Sequence, residues 1–170
     1  MRNLTRIIAV FLFVGITATV NAQTPKFGHI DLQALVQLMP ERATAETQFN
    51  TFQSDLEDIF GEMQKDLQTK MSEFEALGDS ASEIKRNAKV AEIQDMQQRI
   101  QNYQQTAQAQ LQQKQTELLK PVFDKAEKTI EEVAKEKGLL YVFDIGSKVV
   151  LYKSNESLDV LPLVKTKLGI

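Results

Sequence analysis

From Ala45 onward, apolar residues recur at Phe49, Phe52, Leu56, Phe60, Met63, Leu67, Met71 and Phe74, in steps of three and four. Such steps mark one face of an α-helix. A second series runs through Ile84, Ala88 and Ala91, then Ile93, Met96, Ile100, Tyr103, Ala107 and Leu111, with a slip of phase between Ala91 and Ile93. Between the two stands Gly78-Asp79-Ser80, which is turn chemistry, with Ser80 or Ser82 able to cap the second helix. Folding the chain back there gives antiparallel partners whose residue numbers add to nearly one value. Phe74 meets Ile84, Met71 meets Ala88, Leu67 meets Ile93 and Met63 meets Met96; Phe60 meets Ile100, Leu56 meets Tyr103, Phe52 meets Ala107 and Phe49 meets Leu111. Large residues often face small ones, as interdigitating layers require. The pattern predicts an αα-hairpin over residues 41–118 with its tip near 78–81, rather than one continuous rod.

An arm from Arg42 to Leu77 would be about 54 Å long at the α-helical rise. A small body cannot cover that length, so the hairpin is expected to project as a tentacle. By the same register the returning helix continues past the foot of the first. Pro121 sits just beyond that point. It removes one backbone bond, to the carbonyl of Glu117, and favours a kink, which makes it the hinge candidate.

The pattern changes at both ends. Lys26 to Ile30 reads as a short strand, and Asp31 as the N-cap of a short helix over Leu32 to Met39 that Pro40 ends. Gly138 follows Lys135 and Lys137 and looks like the stop of the long helix. Leu139 to Ile145 and Lys148 to Tyr152 are β-rich runs around Gly146-Ser147, a β-hairpin signal. Asp159 can cap a last helix, Val160 to Leu168, closed by Gly169. Pairing the N-terminal strand with the late hairpin gives a three-stranded sheet. Residues 23–40 and 119–170 would then form a small β-body with short helices. Such a body buries little core and has a sheet edge to hide, so it is expected to oligomerise. The fold class expected is therefore α+β, mostly α.

The first 22 residues carry Arg2 and Arg6, then an uncharged apolar run from Ile7 to Val20, then Val20-Asn21-Ala22. This reads as a cleavable signal peptide with the mature chain starting at Gln23; an uncleaved anchor is the alternative. Export into the periplasm is the expected location. The whole chain has a net charge of −3, no Cys and a single His among 170 residues. The signal holds two Arg and no acid, so the mature chain is more acidic still. That argues against a nucleic-acid binder. It also leaves no thiol chemistry, no Cys-ligated zinc and little scope for acid–base catalysis. His29 has no second His to share a metal, and Glu131-Glu132 and Asp55-Glu57-Asp58 lack the looped spacing of a calcium site. No Gly-rich phosphate loop or nucleophile elbow is present. Neither enzyme activity nor a cofactor is expected. Eleven glutamines between Gln94 and Gln115 read as the uncharged wet face of a helix, since the apolar seam persists through them.

These pieces resemble the OmpH/Skp-like family of periplasmic chaperones over nearly the whole mature chain. The opening Lys26-Phe27-Gly28-His29-Ile30-Asp31 with Pro40-Glu41, the returning helix from Glu117-Leu118-Leu119-Lys120-Pro121 to Gly138, and the closing Tyr141-Val142-Phe143-Asp144, Val150-Leu151-Tyr152 and Leu158-Asp159-Val160 carry the resemblance. It implies a homotrimer whose three tentacles enclose a cavity, and ATP-independent holding of unfolded outer-membrane proteins. The best-known members are basic. Here Glu62 to Glu92 holds five Lys/Arg against seven Asp/Glu, so contact with membrane or lipopolysaccharide at the tip is not expected.

Most apolar arm residues are assigned to the hairpin seam. Phe52, Ile59, Phe60, Met63, Leu77 and Met96 remain as candidates for client contact, by their exposed edges. Phe27, Ile30, Val142, Val150 and Tyr152 are the candidates for the body core or the trimer interface. The competing reading is a structural coiled-coil spacer of the envelope, or the hairpin adaptor of an export system. An adaptor should carry a specific tip motif, whereas Ala76 to Ser82 is generic turn chemistry.

Overall fold

The computed structural model describes residues 26–78 and 81–170. The signal-peptide reading of residues 1–22, and Asp79 and Ser80 of the turn, lie outside them. In chain order the elements are β1 (Phe27–Ile30), α1 (Leu32–Leu38), α2 (Pro40–Ala76), α3 (Glu83–Lys137), β2 (Tyr141–Asp144), β3 (Leu158–Asp159) and α4 (Leu161–Leu168).

Local chemistry accounts for most of these boundaries. Asp31 Oδ1 accepts from the Ala34 backbone N–H at 2.8 Å, capping α1. Met39 adopts extended backbone, and Pro40 becomes the first residue of α2, where its missing N–H costs nothing. Gly138 closes α3 at φ 63° and Gly169 closes α4 at φ 76°, both in the left-handed region. Asp159 Oδ1 accepts from the Leu161 N–H at 3.0 Å and starts α4.

Helices α2 and α3 form the expected hairpin, of 37 and 55 residues respectively. Leu56 and Met96 are buried between them. The Tyr103 hydroxyl donates to the Leu56 carbonyl at 3.0 Å, which pins the register that the apolar series implies. Toward the tip the seam opens. Met71 is exposed and Ile84 is 83% exposed, so the expected Phe74–Ile84 layer does not form. Arg86 takes that place instead: its guanidinium lies 5.4 Å over the Phe74 ring and donates to the Gly78 carbonyl at 2.8 Å. Ion pairs hold this stretch, with Lys89 on Glu73 at 2.8 Å and Lys70 on Glu92 at 3.4 Å.

The sheet departs from expectation. Its order is β2-β1-β3, and both pairs are parallel. The β-hairpin expected around Gly146-Ser147 is absent, and Lys148 to Tyr152 forms no strand. Asp144 is the physical reason. Its Oδ1 accepts from the Gly146 N–H at 2.9 Å and from the Leu32 N–H at 3.1 Å. That turn carries the chain off the sheet, and Lys148, at φ 58°, turns it further. The chain returns on the other side of β1, where Leu158–Asp159 takes the second edge. The whole helical arm is thus inserted in the crossover between parallel neighbours β1 and β2, which need a long connection in any case.

The body core lies on the last third of α3. Val122, Ala126 and Val133 pack with Leu35, Val36 and Met39 and with Ile30, Val160 and Val164. Gly28 lets this packing close up, since a Cβ there would stand 2.8 Å from Leu139 Cδ1 and 3.2 Å from Val160 Cγ1 and push both side chains away.

Arm and body therefore have separate cores. Met96→Ala should destabilise the arm by about 2–5 kcal/mol, the usual cost of such a deletion in a packed site. Hydrogen exchange should accelerate at Leu56 and Tyr103 and stay unchanged in the body, at Leu35, Ala126 and Val164. Equal acceleration in both would contradict two separate cores.

Candidate functional site

Clefts at the foot of the arm and beside β2 are open to solvent, so function is sought on the protein's surfaces and joints. The first surface is the outer face of the sheet. Strand alternation and the parallel register put Phe27, His29, Tyr141 and Phe143 on one face. The rings of Phe27 and Tyr141 stack at 6.3 Å, and Tyr141 and Phe143 at 5.9 Å. All three aromatic residues are exposed, Tyr141 at 59%. His29 lies buried beside them, its Nδ1 2.9 Å from Ser157 Oγ. Next in the chain runs Val149-Val150-Leu151-Tyr152, in which Leu151 is 97% and Tyr152 82% exposed. β2 and β3 are both edge strands. Exposed apolar groups concentrated on so small a body mark an interaction surface.

The sequence-derived body candidates divide accordingly. Phe27 is on the exposed aromatic face, and Val142 is half-buried against the core. Ile30 is 3% exposed and belongs to the protomer's own core, so a charge placed there would unfold the body rather than report on assembly. Val150 and Tyr152 are at or near the surface but not in a strand, because Asp144 has turned the chain off the sheet. Tyr141 and Phe143 were missed. Their alternation around Val142 was visible in the sequence, but only the parallel pairing with β1 sets both beside Phe27.

The second surface is the arm. Ile59 is exposed, and Phe52, Phe60, Met63 and Leu77 are half-buried along the seam's edges. Phe52 is partly covered by Lys114, whose Nζ lies 5.8 Å above its ring. Met96, contrary to expectation, is 4% exposed; the hairpin surrounds it and leaves no edge for a client. Its assignment to the seam holds, and the packing covers the edge that the apolar series left open.

The joint is the foot of the arm. α3 runs unbroken through Pro121, whose side chain is exposed. Just before it, Ala45, Phe49, Leu118 and Leu119 line a cavity of about 240 Å³ between the helices. Just after it, Lys125 donates to Glu41 Oε1 at the first turn of α2. That hydrogen bond is the main cause holding the Glu41 carboxyl below the ordinary carboxylate range, helped by its backbone hydrogen bond and opposed by desolvation. Among the described residues no group of three or more His, Asp or Glu side chains is placed to hold a metal ion, and no helix is long and apolar enough to cross a membrane.

A depressed carboxyl stabilises the fold above its unfolded pKa, about 4.3 for Glu, and that contribution is lost as pH falls through the folded value. Glu41→Gln should therefore weaken the foot at neutral pH, by less than about 1 kcal/mol for so exposed a pair. The difference from wild type should vanish in acid. Thermal unfolding at both pH values measures it, and a difference that persists in acid would refute the clamp.

Comparison with known proteins agrees with this geometry. Residues 26–168 match the family of OmpH-like outer membrane proteins. A solved structure of similar fold is that of a candidate outer membrane chaperone (OmpH-like) from Caulobacter crescentus CB15, at 14% identity and a TM-score of 0.72, covering 85% of this chain and 84% of the other. A search of curated protein sequences gave no match.

Proposed function

The chain belongs to the family of OmpH-like outer membrane proteins, and on that premise we propose that it is a periplasmic holdase chaperone. It assembles as a homotrimer, and its three arms enclose unfolded outer-membrane proteins without ATP or covalent chemistry. The observation that carries this reading is the unpartnered aromatic face at the root of a long arm. Phe27, Tyr141 and Phe143 stand exposed on the sheet, and Val149, Leu151 and Tyr152 stand exposed in the segment that follows.

A three-fold ring needs two different surfaces on each protomer, one meeting the other on the next copy. The aromatic face is one. The extended run Val149-Val150-Leu151-Tyr152 is the other, with the spare edge of β2 available to receive it as an added strand. Assembly of this kind leaves the arms joined only at their roots. Pro121 and the cavity beside Leu118 and Leu119 then let each arm swing. Each arm offers little apolar surface, from Ile59 and the edges of Phe52, Phe60, Met63 and Leu77. Affinity therefore comes from many weak contacts presented together inside the enclosure. A leader over residues 1–22 and cleavage before Gln23 fit the same compartment, where an ATP-independent mechanism is required.

Two measurements test the proposal. Native mass should be that of a trimer, and Tyr141→Ser combined with Phe143→Ser should release folded monomers, since both side chains are already exposed in the protomer. A wild-type monomer at micromolar concentration would overturn the assembly. Wild-type protein should suppress aggregation of a urea-diluted barrel protein equally with and without nucleotide, and the monomeric variant should not. Equal protection by that monomer would defeat the enclosure, and no protection by the wild-type trimer would favour a spacer or adaptor role.

A further inference from the structure

The two helices of the arm present chemically different surfaces at the same height. Between Glu46 and Asp66, α2 exposes Glu46, Asp55, Glu57, Asp58, Glu62 and Asp66 against a single base, Lys65. The facing length of α3 is nearly free of charge. From Gln94 to Gln115, glutamines recur in steps of four and three through Gln98, Gln101, Gln105, Gln108 and Gln112, with Gln97 and Gln104 beside them. At 3.6 residues per turn these positions fall within an arc of about 120°, and every position in that arc is glutamine. All are exposed. The charged residues Asp95 and Arg99 project from the opposite flank of α3, and Lys114 turns into the seam over Phe52. Within the stripe the Gln98 amide is engaged by another side chain, donating to Asn102 Oδ1 at 3.0 Å.

We infer that this glutamine stripe meets the client alongside the apolar seam edges, and that it recognises the unpaired backbone of an extended polypeptide rather than its charge. The inference rests on the chaperone reading above and specifies the contact. An unfolded barrel strand exposes a donor and an acceptor at every residue. A primary amide can both donate and accept, so a row of them matches such a backbone whatever the client's sequence. Each bond is weak, because water competes for both partners, and binding stays reversible. The acidic face of α2 is unsuited to the same role. Three such faces turned inward would crowd like charge around one space and repel wherever they approach within about a Debye length. Turned outward they keep the assembly soluble. The inference therefore also orients the arm, with the amide flank of α3 inward and the side of α2 remote from α3 outward.

The test uses the full-length protein and two urea-unfolded barrel proteins, one of net negative and one of net positive charge. Gln101, Gln105 and Gln108 are changed together to Glu, to Lys or to Ala. Alanine has the higher helix propensity, so that variant keeps the helix while removing the amides without adding charge. Circular dichroism checks helix content throughout. All three variants should bind both clients at least about tenfold more weakly, the loss expected when several modest hydrogen bonds go together. Thr47→Glu with Thr51→Glu and Ser54→Glu, on exposed positions of α2 that lie on the side of the helix remote from α3, should change binding by less than about twofold, since that side turns away from the client. Unchanged binding by the alanine variant overturns the inference, as does tighter binding by it, which would mark an apolar contact. Opposite effects of Glu and Lys on the two clients would mark charge steering and overturn it equally. Failure of the wild-type protein to bind either client would instead defeat the chaperone reading itself.

Discussion

Everything in this protein hangs on one face of the last third of α3. Val122, Ala126 and Val133 are buried there by β1, α1 and α4, and the same helix continues without interruption to the tip of the arm. The body's core and the arm's direction are thereby set by a single rigid element. Packed helices have few alternative arrangements, so this packing sets the direction in which the arm leaves the body. Beside Pro121 that packing gives way to the cavity lined by Leu118 and Leu119. The ion pair of Lys125 with Glu41 spans that stretch and ties the start of α2 to the body side of the proline.

The parallel sheet follows from the same arrangement. β1 precedes the arm and β2 follows it, and α3 delivers the chain back alongside β1 with both strands running the same way. Parallel pairing tolerates a connection of any length above a dozen residues, so a long hairpin can be carried in this crossover without disturbing the sheet. The cost is a sheet of three short strands with two free edges and one uncovered aromatic face. A body so small cannot cover that face with its own chain. Assembly with further copies is the reading that accounts for it, and it would place the arms around a common space.

Two polar devices specify the body more than they stabilise it. Asp144 accepts from both Leu32 and Gly146 through one carboxylate oxygen, joining the end of β2 to the start of α1 and dictating where the chain leaves the sheet. His29, buried against Ser157, fixes the approach of the segment that becomes β3. Neither group has an apolar substitute that would hold the same two segments together, because a hydrogen bond has direction and a hydrophobic contact does not.

The helical hairpin, its register, the caps at Asp31, Gly138 and Gly169, and the break at Pro40 were legible in the sequence. Each depends on residues near one another along the chain, or on a periodicity that a helix imposes on every residue it contains. The family resemblance was legible as well, because the order of those pieces is itself a pattern. Tertiary structure alone decided the sheet. Lys148 to Tyr152 has the composition of a strand, and Gly146-Ser147 the composition of a hairpin turn. Which strand pairs with which is settled by Asp144's hydrogen bond to a residue 112 positions away, and by the demand of β1 for partners on both sides. The same holds for Ile84. Its place depends on how the stretch of α3 before the phase slip is rotated against α2. An apolar series records only that a face exists, and the packing of the partner determines which of its members are covered.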